Sequence, residues 1–167
     1  MNEQDIINEE CCDTLSNDIA FIRRTRQLLK QYRGFVDSER AQGRKCTSYS
    51  RTLFMNCCLG LLFIPQTKLW GTPYFSTPVK DFGIDTSSFI ISGEKAGDLQ
   101  LRDLMRHLRN ALAHNHVKYE YNKRNEMIGA HFDDYSGKNN EHLTFSGDMT
   151  YNNLEKLVLD ISREAIM

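Results

Sequence analysis

Four stretches of the chain carry apolar residues at helical spacing, and each of them predicts a helix. They run from about residue 14 to 38, from about Thr47 to Ile64, from Asp98 to about His114, and from a cap at Asp148 or Thr150 towards the C-terminus. The second stretch is apolar on nearly all sides, which is typical of a central core helix. Pro65 follows it directly and predicts its end, because proline lacks the N–H group that a helix interior uses.

The segment from 65 to 97 predicts a long connection that contains only short helical pieces. All three prolines of the chain lie in it, together with four glycines. A connection of this length often serves as a lid or a binding loop. A packed irregular segment, anchored by Trp70, Tyr74 and Phe75, explains the composition equally well, and the sequence leaves both interpretations open.

After the third predicted helix, the apolar period changes from helical spacing to alternation. Alternating residues in 117–121, 128–132 and 143–145 predict a two- or three-stranded antiparallel meander, with turns at 122–125 and 137–140. The predicted fold class is therefore mainly α: a helical bundle with a small antiparallel β-meander before the last helix.

The length and composition predict one soluble domain spanning residues 1–167. Apolar residues make up 40% and charged residues 26%, close to the average for globular proteins. The five cysteines form no Cys-x-x-Cys pair, and their odd number favours a reducing cytoplasm. Residues 1–20 are acidic and lack the apolar region of a secretory signal. The longest apolar run, from Leu53 to Ile64, is shorter than the roughly 20 residues that span a bilayer. We therefore expect a cytoplasmic protein that is not inserted in a membrane.

The net charge of −1 is a cancellation between oppositely charged segments. Residues 1–22 sum to −6 and 23–45 to +6, while 98–124 sum to +3 and 125–167 to −5. A near-zero total argues against a protein that coats nucleic acid, which would usually have a pI above about 9. The basic segments are either solvated helix faces that pair with the acidic ones, or a local basic surface for an anionic partner.

The third predicted helix separates its apolar and polar residues onto opposite faces. One face is a stripe of leucines with Met105 and Ala111, which predicts core packing. The opposite face carries the candidate functional residues, namely Arg102, Arg106, His107, Arg109, Asn110 and His114. Asn110 and His114 are neighbours one turn apart, and the long side chain of Arg109 reaches the same patch from one side.

These groups match the requirements of metal-free RNA cleavage. The 2′-hydroxyl must lose a proton, the phosphate needs its extra negative charge stabilised, and the leaving 5′-oxygen needs a proton. An imidazole with a pKa of about 6.5 exchanges protons near neutrality. A guanidinium presents a planar fork to a phosphate, and a carboxamide can orient a neighbouring group. From the helix geometry, we expect Arg102, Arg106 and His107 to be RNA contacts on this face.

The sequence from Arg109 to His114, RNALAH, resembles the Arg-x(4–6)-His motif of the HEPN superfamily, including the polar residue that commonly follows the arginine. The layout is similar as well. A core helix ending in GLLFIP precedes the motif, and a β excursion and a final helix follow it. This combination looks like a HEPN subgroup found in prokaryotes and on mobile elements. The likeness in layout covers about residues 15 to 165, whereas the specific motif is six residues long.

The resemblance implies a metal-independent endoribonuclease, without a cofactor, that acts in phage defence or as a toxin. His114 would transfer protons, Arg109 would stabilise the phosphate and Asn110 would orient the site. Cleavage would leave a 2′,3′-cyclic phosphate and a 5′-hydroxyl. Protomers of the family usually dimerise with their motifs facing a shared cleft. A homodimer with a composite active site is therefore implied, as is an antitoxin partner in the toxin setting.

Two alternatives to catalysis remain open for the same residues. In the first, Arg109 pairs with an acidic residue of the N-terminal segment, while His114 and Asn115 cap the helix, where an imidazolium is favourable. In the second, the polar face binds a partner protein, RNA or a nucleotide without turnover. A zinc site of His107, His114 and His116 is disfavoured, because two helical turns, about 10 Å, separate the first two.

Three further features are expected to have structural roles. Cys57 and Cys58 lie mid-helix in apolar surroundings and are expected to be inert core thiols. The adjacent Asp133 and Asp134 resemble an acidic turn rather than a hydrolase dyad, because adjacent strand residues point to opposite faces. His131, in a predicted strand, is expected to be a surface or packing residue.

Overall fold

The computed structural model describes residues 17–44, 49–123, 126–137, 139 and 141–167, the first three residues of the second segment by backbone only. The helices of this part of the chain are α1 (Asn17–Ala41), α2 (Tyr49–Leu69), α3 (Leu101–Ala113) and α4 (Tyr151–Glu164). The strands are β1 (Ile90–Ile91), β2 (Glu94–Lys95), β3 (Val117–Tyr121), β4 (Met127–Ser136) and β5 (His142–Thr150). The four predicted helices are thus present, and the predicted starts of the first at about residue 14 and of the second at about Thr47 lie outside the described residues.

The central helix of the fold is α2, as its apolar sequence predicts. It contacts α1, α3 and α4. The predicted stop at Pro65 is wrong, because the helix continues through this proline to Leu69. Pro65 and Leu69 are both buried, so tertiary packing offsets the hydrogen bond that the proline cannot donate. The extra turn carries Gln66, which accepts a hydrogen bond from Arg109.

The β region is a five-stranded antiparallel sheet in the order β2-β1-β5-β4-β3. Strands β3, β4 and β5 form the predicted meander. A short hairpin of β1 and β2, which belongs to the connection between α2 and α3, extends the sheet by pairing with β5. Helices still account for most of the regular structure, but the prediction of a small β appendage is wrong in size.

In the part of the chain that the structure describes, the helices pack against one face of the sheet. Period-two alternation turns Phe132, Phe145 and Met149 towards the core, where all three are buried. On this side β4 contacts α3 and α4. The opposite face carries polar residues such as His131 and Asp148, which are opposite each other on β4 and β5.

The connection between α2 and α3 is packed against the core. It contains two 3-10 helices, Pro73–Ser76 and Val79–Phe82. Phe75 is buried, as predicted, whereas Trp70 is 61% exposed and does not anchor the segment. Tyr74 packs edge-on against Phe82, and burial raises its pKa to about 12. The packed interpretation of this segment therefore fits the structure.

The helix caps agree in part with the sequence prediction. The N-cap of α3 is Gln100 rather than Asp98, so this helix begins later than predicted. Asn115, just past its end, has the left-handed conformation expected there, with φ of 57°. Thr150 caps α4 by accepting a hydrogen bond from the backbone N–H of Asn153 at 3.2 Å.

Several arginines of the basic segment 23–45 pair within the fold. Arg33 of α1 bonds the buried carboxylate of Glu155 in α4 at 2.7 Å. Arg26 donates to the hydroxyl of Ser162, also in α4, at 2.6 Å. These contacts join the first and last helices, so for these residues the charge block serves the fold rather than an external partner.

Within the described residues, one helical segment, Thr52–Leu69, meets the length and composition of a membrane span, with a mean hydropathy of 1.2 over 18 residues. Half of this window is buried inside the fold. Core helices of globular proteins meet the same criterion, and the burial agrees with the prediction of a core helix.

Candidate active site

The Arg109 side chain, near the C-terminal end of α3, is held by two neutral carboxamides. Its Nη1 donates to Oε1 of Gln66 at 2.9 Å, and its Nη2 donates to Oδ1 of Asn110, also at 2.9 Å. A longer bond of 3.3 Å runs from Nε to the same Asn110 oxygen. Gln66 is 4% exposed, so it is a fixed partner. Among the described residues no carboxylate pairs with this guanidinium, and the acidic N-terminal residues considered as partners for Arg109 lie, except for Asp18, outside those residues.

Asn110 is in turn fixed by Asp134 of β4. Its Nδ2 donates to Oδ2 of Asp134 at 3.3 Å, and the same oxygen accepts a 2.7 Å hydrogen bond from Nδ1 of His107. Asp134 is buried. A continuous set of hydrogen bonds therefore joins the sheet, α3 and α2 through Asn110 and Arg109.

The predicted place of His107 on the exposed polar face is wrong. This side chain is 4% exposed, and its ring lies nearly parallel to that of Phe145, with 5.0 Å between the ring centroids. The residue stands at the border between the polar and apolar arcs of α3, where the sheet covers the helix. It is therefore not an RNA contact at the surface, and its bond to Asp134 supports Asn110 instead.

Asp133 and Asp134 point to opposite faces of β4, as predicted, but they are not part of a turn. Both lie inside the strand and both are buried. Asp134 faces α3, whereas Asp133 accepts a hydrogen bond from Nε2 of His131 at 3.0 Å on the other face. Each buried carboxylate thus has the hydrogen-bonding partner that burial of a charge requires.

His114 is exposed at the C-cap of α3. Its backbone N–H bonds the carbonyl of Asn110 at 2.9 Å, and its ring makes no hydrogen bond to any other residue in the described part of the chain. The ring centroid lies 6.0 Å from that of His116, which packs edge-on against Tyr135. An accessible imidazole therefore stands one helical turn beyond the residue that holds Arg109.

An exposed aromatic ring borders the arginine. Phe63 of α2 is 53% exposed, and its ring centroid lies 5.8 Å from Cζ of Arg109, within the range of a cation–π contact. Gln66 follows on the same helix, one turn later. α2 thus supplies a polar and an aromatic contact to one guanidinium.

Arg102 and Arg106 share an exposed stripe of α3 with Arg109, at helical spacings of four and three residues. About half of each side chain is exposed, and each lies near Asp103, at 3.8 and 3.7 Å. Exposed pairs of this kind contribute little to stability. The two arginines can therefore exchange Asp103 for another anion.

A second charged cluster lies on the outer face of the sheet. Nδ1 of His131 donates to Asp148 at 2.6 Å, and Lys118 lies 3.5 Å from Asp133. Partial burial lowers the pKa of His131, but the hydrogen bonds and charges of Asp148 and Asp133 outweigh this and raise the pKa above its ordinary value. The cluster links β3, β4 and β5, in agreement with the predicted packing role of His131.

Cys57 and Cys58 are buried in the core, as predicted. Burial raises the pKa of both thiols, which disfavours the reactive thiolate. In the part of the chain that the structure describes, no three His, Cys, Asp or Glu side chains are grouped so that they could hold a metal ion. His107 is buried against Phe145.

The comparison with known families places this chain in the HEPN superfamily. The particular family is the one described as HEPN pEK499 p136, whose model matches residues 1–166, and the chain belongs to it. The resemblance drawn from the RNALAH motif, and its mobile-element setting, are thereby confirmed. Comparisons with curated proteins and with solved structures found no match.

Three residues that shape the site were missed by the sequence analysis. Gln66 lies beyond the predicted end of α2, and Phe63 lies within the predicted core helix but was not singled out. Gln66, three residues after Phe63, could have been placed on the same side of α2 if the helix had been continued past Pro65. Asp134 shares the alternation of the buried Phe132, which indicates that it faces the helices.

Proposed function

We propose that this chain is a metal-independent endoribonuclease of the HEPN type. The observation that carries the proposal is the Arg109 guanidinium, held by neutral carboxamides one turn before the exposed imidazole of His114. A charge held in place by neutral carboxamides suits a phosphate, and an exposed imidazole suits proton transfer.

Each residue has a role in attack by the 2′-hydroxyl on the adjacent phosphorus. His114 takes up or returns a proton as the bond from O2′ to phosphorus forms and the bond from phosphorus to O5′ breaks. Arg109 stabilises the extra negative charge of the pentacoordinate phosphate. Asn110 is a positioning residue, because its oxygen holds Nη2 of Arg109. The products are a 2′,3′-cyclic phosphate and a 5′-hydroxyl.

The proposed active form is a homodimer with a composite site, as the family resemblance implies. The reaction needs one group to accept a proton from O2′ and another to donate a proton to O5′. Two copies of His114 facing a shared cleft supply both groups. Arg102 and Arg106 extend the positive surface along α3 and contact the RNA backbone on either side of the cut.

The proposed setting is cytoplasmic, in phage defence or in a toxin–antitoxin pair. A ribonuclease of this kind needs control, since unrestrained cleavage of cellular RNA would harm its host. An antitoxin partner that covers the exposed face of α3 would provide this control.

A second candidate function is a HEPN-like binding module without turnover. The exposed ring of Phe63 beside Arg109 favours it, because a charge next to an aromatic face binds a nucleotide or a partner without any proton transfer. Clean protein that binds RNA or a nucleotide and leaves it uncut would favour this candidate over the first.

The test is cleavage of labelled single-stranded RNA in EDTA by the unmodified protein, Arg109→Ala and His114→Ala. We expect each variant to lose activity by at least about 100-fold, the usual effect of removing one group that stabilises a transition state. Arg44→Ala is the matched control, since Arg44 is exposed and pairs with Glu39 at the far end of α1. Retained cleavage by both site variants would overturn the proposal.

A further inference from the structure

Phe63 exposes an aromatic face at the edge of the proposed site. An apolar ring that is 53% exposed loses the free energy that burial would provide. The ring lies beside the Arg109 guanidinium. Gln66, on the next turn of α2, accepts a hydrogen bond from the same guanidinium and so fixes it next to Phe63. The ring and the charge therefore form one surface.

A second exposed aromatic residue follows α2. Trp70 is the first residue after the end of this helix and lies seven residues after Phe63 in the chain. It is 61% exposed. An exposed aromatic ring beside an arginine matches the way in which proteins bind single-stranded nucleic acid, with bases stacked on rings and phosphates held by cations.

We propose that Phe63 is the stacking platform for an unpaired nucleobase beside the phosphate that Arg109 holds. The proposal rests on the proposed ribonuclease function and names its substrate class as single-stranded RNA. A nucleotide carries a phosphate and a flat base separated by one ribose, and it can engage a guanidinium and a ring that lie 5.8 Å apart. In a duplex the bases are paired and stacked on each other, so a duplex cannot offer one to Phe63.

The first test compares substitutions of Phe63 in cleavage of a single-stranded RNA. Phe63→Ala is expected to raise KM by roughly 5- to 150-fold, the value of one base–aromatic stack, with a smaller effect on kcat. Phe63→Tyr keeps the aromatic face and should remain close to the unmodified protein. Phe63→Leu keeps an apolar side chain without that face and should behave like alanine.

Phe35→Ala is the matched control. Phe35 is 54% exposed, almost the same as Phe63, but lies on α1. The two helices are close at Phe21 of α1, whose ring packs over Gly60, three residues before Phe63 on α2. Phe35 lies 14 residues after Phe21, about 20 Å further along α1 at 1.5 Å per residue, and is therefore distant from Phe63. Equal changes in KM for the two alanine variants would overturn the proposal.

The second test separates stacking from catalysis by measuring binding alone. The probe is a single-stranded RNA made uncleavable by 2′-O-methylation and carrying one 2-aminopurine, whose fluorescence falls when it stacks. We expect binding to quench the probe with the unmodified protein and with Phe63→Tyr, but not with Phe63→Ala. Annealing the probe to its complement should abolish binding at the same protein concentration.

The outcomes distinguish failure of the stacking proposal from failure of the proposed function. Cleavage with no response to Phe63→Ala in either test overturns stacking and leaves the ribonuclease function standing. Quenching that depends on Phe63, in a protein that cuts no RNA, supports stacking and overturns catalysis. If Phe63→Ala instead changes the molar mass in light scattering and leaves RNA affinity unaltered, the ring belongs to a protein interface and stacking is overturned.

Discussion

Asn110 donates a hydrogen bond to Asp134 across 3.3 Å, and this contact ties the end of α3 to the middle of the sheet. The other end of the same carboxamide accepts two hydrogen bonds from Arg109. A carboxamide suits this place because it accepts at one end and donates at the other. A carboxylate at position 110 could accept from Arg109 but would repel Asp134.

Asn110→Asp therefore places two carboxylates in contact, and we expect the free energy of unfolding to fall by about 1–3 kcal/mol. Adding Asp134→Asn should recover at least half of this loss, because the new carboxamide can donate to the new carboxylate. Activity should stay low in the double variant, since Asp at position 110 neutralises Arg109. Urea unfolding and kcat/KM measure the two effects separately, and an Asn110→Asp variant with unchanged stability would contradict the assigned contact.

Gln66→Glu tests whether the group that holds Arg109 at this position must be neutral. The substitution places a carboxylate at the 2.9 Å contact with Nη1, and we expect kcat/KM for RNA to fall by about 10- to 100-fold as the guanidinium is neutralised. Gln66→Leu removes the hydrogen bond but adds no charge, so it should reduce activity less. The account is wrong on this point if the leucine variant is the more damaged of the two.

Arg102 and Arg106 are expected to act through the RNA backbone, and ionic strength tests this. For a single strand, each phosphate contact contributes about 0.7 to the slope of log K against log salt concentration. The double variant Arg102→Ala/Arg106→Ala should therefore reduce this slope by about 1.4, equally for RNAs of different sequence. Fluorescence anisotropy titrations over a range of salt measure it, with Arg44→Ala expected to leave the slope unchanged.

The His131 cluster predicts a pH-dependent contribution to stability. The pKa of His131 is raised in the folded state, so its contribution is fully present below its ordinary pKa of about 6.5 and is lost as the pH rises through the folded-state value. The difference in unfolding free energy between the unmodified protein and His131→Gln should therefore shrink as the pH rises from about 6.5 into the alkaline range. Urea denaturation across this range measures it, and a difference that stays constant would show that Asp133 and Asp148 do not act on His131 through its charge.

The helices could be predicted from sequence because each has a local apolar period. The end of α2 could not be predicted in this way. Pro65 disfavours a helix and is visible in the sequence, whereas the burial of Leu69, which outweighs this effect, depends on the whole fold. The hairpin of β1 and β2 was missed for a related reason. Its strands are two residues long, too short to show alternation, and depend on pairing with β5.

The sequence analysis grouped Arg109, Asn110 and His114 into one site because they lie within five residues of each other on one predicted helix. Their supports were not, because Gln66 is 43 residues from Arg109 in the chain and Asp134 is 24 residues from Asn110. Helical geometry placed His107 near the polar face, but only the position of the sheet decides that this border residue is buried.

The most direct measurement of the central claim is the chemistry of the RNA ends, determined by mass spectrometry after cleavage in EDTA. We predict a 2′,3′-cyclic phosphate on one fragment and a 5′-hydroxyl on the other from the unmodified protein, and neither from Arg109→Ala or His114→Ala. A 3′-hydroxyl with a 5′-phosphate, or the same yield of cyclic phosphate from both variants, would contradict the assignment of the active site to Arg109 and His114.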